Sequence, residues 1–116
     1  MEYKATLLRL KKENITQYID IHKKDNIWPE VIAALTKAFK KIIVFQVEKD
    51  LLIFEEAEDS IDTAYKIANS FKAHLKWDKM IMEWMEQFPE YSDIKDHIVS
   101  KEIPIVFYFE NGKMLH

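Results

Sequence analysis

Positions 42–47 read IIVFQV and positions 51–57 read LLIFEEA, with only Glu48, Lys49 and Asp50 between them. Two β-prone runs joined by so short a link form a hairpin. They must be antiparallel, because a parallel pair needs a crossover of about a dozen residues or more. A simple parallel, doubly wound sheet is therefore excluded. Residues 3–10, YKATLLRL, predict a strand before the hairpin, and 103–109, IPIVFYF, predict a last strand after it.

The intervals between these strands carry helical periodicity. Residues 13–24 predict a helix with Ile15, Tyr18, Ile19 and His22 on one inward stripe. Asp25 and Asn26 interrupt it. Pro29 suits the first turn of a second piece, about 29–40, where its missing N–H costs nothing. That piece spaces Val31, Ile32, Leu35 and Phe39 as one face. Ser60 is placed to cap a further helix bearing Ile61, Ala64, Tyr65, Ala68 and Phe71. A stripe of Trp77, Met80, Ile81, Trp84, Met85 and Phe88 follows, ended by Pro89, and residues 90–101 are polar and loop-like. The order is β-α-β-β-α-β, an α+β, ferredoxin-like antiparallel sheet with its helices on one face.

That architecture leaves one sheet face bare. IIVFQV and IPIVFYF are apolar on both alternating faces, yet only one face meets helices. A second copy of the sheet is the simplest cover, so the expectation is a homodimer.

With 116 residues, the chain has the length of a single domain, taken as 1–116. A domain of this size buries roughly 65% of its unfolded surface. There are no cysteines, which removes disulfides and thiolate chemistry. The start, MEYKATLLRLKKEN, has no apolar run of a signal peptide. No stretch approaches the roughly 20 apolar residues of a membrane span. The expected address is the cytoplasm, without membrane partners. The net charge of −3, with signs interspersed, argues against a nucleic-acid partner. The lysine pairs at 11–12, 23–24 and 40–41 fall at element ends and read as solvated.

Tyr18 and His22 stand four residues apart, neighbours on one helical face. A histidine partly removed from water there titrates within reach of neutral pH, as a general acid or base requires. The same spacing also fits a satisfied core histidine packed on a tyrosine. Trp77 and Trp84 on one stripe read as core; an indole is also a platform for the apolar face of a sugar. Trp28 before Pro29 reads as pinning a helix entry. His74 reads as lying near a helix end, capping carbonyls. His97 falls in the polar loop, and His116 ends the sequence. The histidines lack tight metal-ligand spacing. Glu55, Glu56 and Glu58 read as a solvated strand end. There is no glycine-rich phosphate loop, since Gly112 is the one glycine, and no serine nucleophile motif.

Together, Tyr-x-x-x-His, the Ile27-Trp28-Pro29-Glu30 run, a hairpin ending LLIF, a tryptophan in a Met-rich helix and a C-terminal VFYF resemble the L-rhamnose mutarotase family. The resemblance runs in order from about residue 3 to 109. It implies a dimeric ferredoxin-like α+β barrel. It implies interconversion of the α and β anomers of L-rhamnose or a similar deoxy sugar, with neither metal nor cofactor. It makes His22 the proton donor and places Tyr18 and Trp77 against the sugar. Three departures stand out. The segment KKDN between His22 and IWPE is about two residues longer than the family pattern, Ile42 stands where a tyrosine is usual, and Asp78 replaces the second tryptophan of a pair. Ile42 and Asp78 thus fall at substrate-contacting positions, and L-fucose or another deoxy sugar enters as a candidate substrate.

In this reading His22 is the acid/base group, Tyr18 its orienting hydrogen-bond partner and Trp77 a stacking wall. A second proton-transfer group is required, and the sequence does not identify it. The rivals are a non-catalytic sugar-binding or regulatory module on the same scaffold, and, by fold analogy alone, a haem- or quinol-handling oxygenase.

Overall fold

The structure, a computed structural model, describes residues 1–86 and 100–114. Strand β1 (Glu2–Arg9) opens the chain, followed by a 3-10 turn (Lys12–Asn14) and helix α1 (Ile15–Ile21). Helix α2 (Pro29–Ala38) leads into the hairpin β2 (Lys41–Val47) and β3 (Asp50–Ala57). Helices α3 (Ile61–Asn69) and α4 (Lys72–Met82) come next, then β4 (Ser100–Ile103), and a small hairpin of β5 (Phe109–Glu110) and β6 (Lys113–Met114). Four strands form one sheet in the order β2-β3-β1-β4, antiparallel at every join. This is the expected α+β, ferredoxin-like arrangement.

Local chemistry explains most element ends. The hairpin closes through Glu48 and Lys49 between the paired Val47 and Asp50. Pro29 occupies the first turn of α2, and the Trp28 carbonyl accepts from the Val31 and Ile32 N–H groups at 3.0 and 3.2 Å. The Ser60 hydroxyl caps α3 by accepting from Thr63 N–H at 3.0 Å. Glu2 reaches across from β1 to accept from the Ile61 N–H at 2.9 Å, where a carboxylate also suits the helix dipole. At the other end of the chain, Asn111 and Gly112 both take positive φ, 51° and 79°. These are the demands of a tight two-residue turn, and they explain the β5–β6 hairpin that the sequence reading lacked.

Four expectations need correction. The helix expected over 13–24 is shorter and begins with a 3-10 turn. Asn26 folds back, its side-chain amide donating to the Asp20 carbonyl at 2.7 Å, and closes the end of α1. Within α1, Ile19 is not inward but 38% exposed; Tyr18 is the buried residue of that short helix. Phe71 does not continue α3, because the chain breaks at Ser70 and Phe71 flanks the start of α4. The last strand pairs with β1 through residues 100–103 and not over 103–109. Pro104 has no N–H to give the ladder, so pairing stops before it. Residues 100 and 101, expected as loop, therefore belong to a strand. Phe88, Pro89, His97 and His116 lie outside the described residues.

Two apolar clusters fill the space under the helices. One joins Leu8, Leu10, Tyr18, Leu51, Trp84 and Met85. The other joins Ala38, Phe39, Ala57, Ile61, Ala64 and Ala68. The small alanines let α2 and α3 approach each other closely. Among the described residues, no helix is long and apolar enough to cross a membrane.

Candidate active site

A cavity of about 390 Å³ lies between the inner sheet face and the helices, inside the range of roughly 300–1,000 Å³ typical of small-molecule sites. Its floor takes alternate residues of three strands: Lys4 and Thr6 from β1, Ile42 and Val44 from β2, Ile53 and Glu55 from β3. The register sets Lys4, Glu55 and Ile42 side by side across the sheet. Tyr18 and His22 close one wall, while Tyr65 and the α4 residues His74, Trp77 and Asp78 form the other sides. All five residues singled out from the sequence, Tyr18, His22, Ile42, Trp77 and Asp78, meet at this one cavity.

His22 is the first residue beyond α1 and keeps helical backbone angles, so its ring falls over the preceding turn. Its imidazole stacks on the Tyr18 ring with centroids 4.1 Å apart. The Trp77 indole meets the same imidazole edge-on at 5.1 Å, and Trp28 stands edge-on behind Trp77, also at 5.1 Å. Trp28 thus pins the α2 entry and buttresses the cavity wall together. Trp84, by contrast, lies beyond α4 in the core with Leu10 and Met85.

Geometry also settles the His22 tautomer. Nδ1 lies 2.7 Å from the Tyr18 carbonyl oxygen. A carbonyl has no proton to give, so Nδ1–H is the donor. Burial holds the imidazole below its ordinary pKa of 6.5, against a smaller opposite pull from that carbonyl. The ring at neutral pH is therefore uncharged, with Nε2 carrying the lone pair. Tyr18 is pushed up to about 12 by burial; its phenol stays protonated and can donate.

Two side chains read otherwise in the sequence belong to this site. Glu55, expected as part of a solvated strand end, is only 3% exposed. It alternates inward with Leu51, Ile53 and Ala57, and that period of two is the signal that could have found it. The Tyr65 hydroxyl donates to its Oε2. Burial raises the Glu55 carboxyl above its usual pKa, against the pulls of Tyr65 and Lys4. His74 caps no carbonyl. It sits in the first turn of α4, 4% exposed, and its Nδ1–H donates to Asn69 Oδ1 at 2.8 Å. Asp78 lies one turn on, with Oδ2 3.7 Å from the same nitrogen; burial raises its carboxyl, and His74 opposes that shift.

The cavity thus combines an aromatic wall with an unprotonated imidazole nitrogen and two carboxyl groups biased toward holding protons. Such a set can move protons on a polar, uncharged ligand. Residues 4–109 match the L-rhamnose mutarotase family. The chain belongs to that family. Its members are isomerases that act on carbohydrates by interconverting anomers. The crystal structure of an L-rhamnose mutarotase from Formosa agariphila superposes with a TM-score of 0.65 at 21% identity, covering 95% of this chain and all of that one. It shows the same fold. A search of curated proteins gave no match.

Proposed function

We propose that this chain interconverts the α and β anomers of L-rhamnose or a related deoxy sugar such as L-fucose, by acid/base chemistry that needs no cofactor. The observation that carries this reading is the His22 arrangement. Its Nδ1–H is committed to the Tyr18 carbonyl at 2.7 Å, it is stacked on Tyr18 and flanked by Trp77, and it lines a cavity of sugar-binding size.

Mutarotation asks for little more. A proton leaves the anomeric hydroxyl while another arrives at the ring oxygen. The ring opens, the aldehyde turns, and the ring closes on its other face. His22 carries one of these transfers, and positioned proton transfer supplies roughly 10²–10⁴-fold. Tyr18 donates to a sugar hydroxyl. Trp77 packs against the apolar face of the ring. Ile42 presents a methyl surface and Asp78 a hydrogen-bond acceptor to the substrate, so the sugar favoured is one that matches this altered pair.

The working unit in this reading is a homodimer, and its expected address is the cytoplasm. The outer sheet face carries Ile43, Phe45 and Val47, and beyond β4 lie exposed Ile105, Val106 and Phe107. A second copy covering these residues would remove this apolar surface from water.

The test is saturation transfer by proton NMR on L-rhamnose and on L-fucose, each at anomeric equilibrium. Irradiating one anomeric proton diminishes the other when exchange is catalysed. Transfer with the wild-type chain and its loss in His22→Ala support the reading and rank the sugars. Sugar binding without transfer would instead favour a non-catalytic module.

A further inference from the structure

Resting on the mutarotase reading, we propose that Glu55 is the second proton-transfer group of the site, working across the cavity from His22. Four observations converge on it. Glu55 is a buried carboxyl whose side chain lines the same cavity as His22. The Tyr65 hydroxyl holds Oε2 and leaves Oε1 for a ligand. Its place on central strand β3, between Lys4 and Ile42, puts it on the rigid floor while His22 stands on the helical wall. The His22 tautomer supplies the need: with Nδ1–H bonded to Tyr18, the neutral ring offers Nε2 only as an acceptor. A proton for the ring oxygen must then come from elsewhere.

The step balances. His22 Nε2 takes the proton of the anomeric hydroxyl. The O–H pair becomes the carbonyl π bond at the anomeric carbon. The bond from that carbon to the ring oxygen breaks, its pair stays on the oxygen, and Glu55 protonates it. After the aldehyde rotates, the ring oxygen attacks the other face and returns its proton to the Glu55 carboxylate. The imidazolium of His22 reprotonates the new anomeric oxygen. No atom or electron is gained or lost, and each group serves as acid in one direction and base in the other.

Electrostatics support the pairing. The groups facing Glu55 are Lys4 on β1, Tyr65 on α3, His74 and Asp78 on α4, Tyr18 on α1 and His22 just beyond it. Burial raises Glu55 and lowers His22, so their proton affinities approach one another. Moving a proton from one to the other through the substrate then costs little. The productive form holds one proton between the two groups, so activity follows a bell with its maximum between the two values.

The experiment compares wild type with Glu55→Gln, Glu55→Ala, Glu55→Asp and Asp78→Asn, by polarimetry of freshly dissolved sugar across pH. Glu55→Gln keeps an acceptor for Tyr65 and loses proton exchange. Its kcat falls by roughly 10²–10³-fold with KM within about threefold, and one limb of the bell disappears. Formate restores activity to Glu55→Ala. If the amide variant fails to fold, Glu55→Asp decides: the shorter carboxyl keeps both limbs at reduced kcat. A Glu55→Gln enzyme within about threefold of wild type overturns the proposal, as does a fall in kcat with both limbs intact. Loss in Asp78→Asn with Glu55→Gln active assigns the role to Asp78 instead. An inactive wild type overturns the mutarotase reading and this one with it, whereas an active wild type beside an active Glu55→Gln overturns this one alone.

Discussion

The two faces of the sheet come from the same three strands and have opposite characters. On the inner face Lys4, Thr6 and Glu55 stand among Ile42, Val44 and Ile53, under helices. On the outer face the intervening residues are Tyr3, Ala5 and Leu7, then Ile43 and Phe45, then Leu52 and Phe54. Its charged groups lie at its two ends, Arg9 paired with Asp50 at 2.6 Å and Lys41 beside Glu56. Burying a polar group costs free energy unless a partner answers it. The covered face nevertheless holds polar groups at its centre, where the bare face is apolar. A fold tuned for isolated stability would do the reverse. In the proposed reading the inner face accepts that cost for chemistry, and a second copy covers the outer face.

The sharpest break of this comparison is His22→Ala. It sits outside the main core clusters, so the far-ultraviolet spectrum stays that of the wild type. Anomer exchange falls by roughly 10²–10⁴-fold. Exchange within about threefold of wild type would make the inner face mere packing. Next in size is Phe45→Lys on the outer face, where Phe45 is 51% exposed. A charge at the centre of an apolar contact costs about 2–4 kcal/mol of association. Sedimentation should show the wild type at twice the mass of the chain and the variant at once. A variant that keeps the doubled mass moves the interface elsewhere.

Much of this was legible beforehand, and the reasons are local. The IIVFQV and LLIFEEA runs state a hairpin, Pro29 and Ser60 state helix starts, and Tyr18 with His22 state a shared face. Each depends on neighbours within a few residues. What escaped depends on distant partners. Glu55 reads as solvated because acidic residues cluster after LLIF; parity with Leu51 places it inward, and Tyr65, ten residues on, satisfies it. His74 reads as a cap because its true partner, Asn69, lies across the helix break at Ser70. The last strand was misplaced because apolar content outweighed the single missing N–H of Pro104.

Smaller in effect is the stability of Glu55→Gln, which measures the cost of the inner face directly. Desolvation raises the folded carboxyl above 4.5, its value when unfolded. The folded state therefore holds its proton longer, and stability falls as pH rises from 4.5 through the raised value. The amide escapes that loss. Its melting temperature exceeds the wild type's at pH 7.5 by a few degrees, about what 1 kcal/mol produces in a domain this small, and the gap closes toward pH 4. A wild type that is the more stable at pH 7.5 would mean the Tyr65 bond outweighs desolvation.

The smallest effect concerns the turn that assigns residues to faces. Glu48 has φ of 55°, on the left-handed side, where a side chain costs about 1–2 kcal/mol. The turn is held nonetheless: Gln46 Nε2 donates to the Glu48 carbonyl at 2.7 Å, and the Leu10 N–H donates to Lys49 at 2.7 Å. Both acceptors are backbone and survive substitution. Glu48→Gly removes the side-chain strain and gives back part of the gain in unfolded-state entropy. The net is a stabilisation of about 0.5–1 kcal/mol, read as a higher urea midpoint at unchanged slope. Because a slip of one residue would exchange inner for outer on β2, the register is the thing at stake. A more stable Glu48→Gly with undiminished activity and mass shows that the pairing of β2 with β3, and not the strained turn, decides which face each residue joins. A more stable variant that loses activity would show the turn itself holding Ile42 beside Glu55.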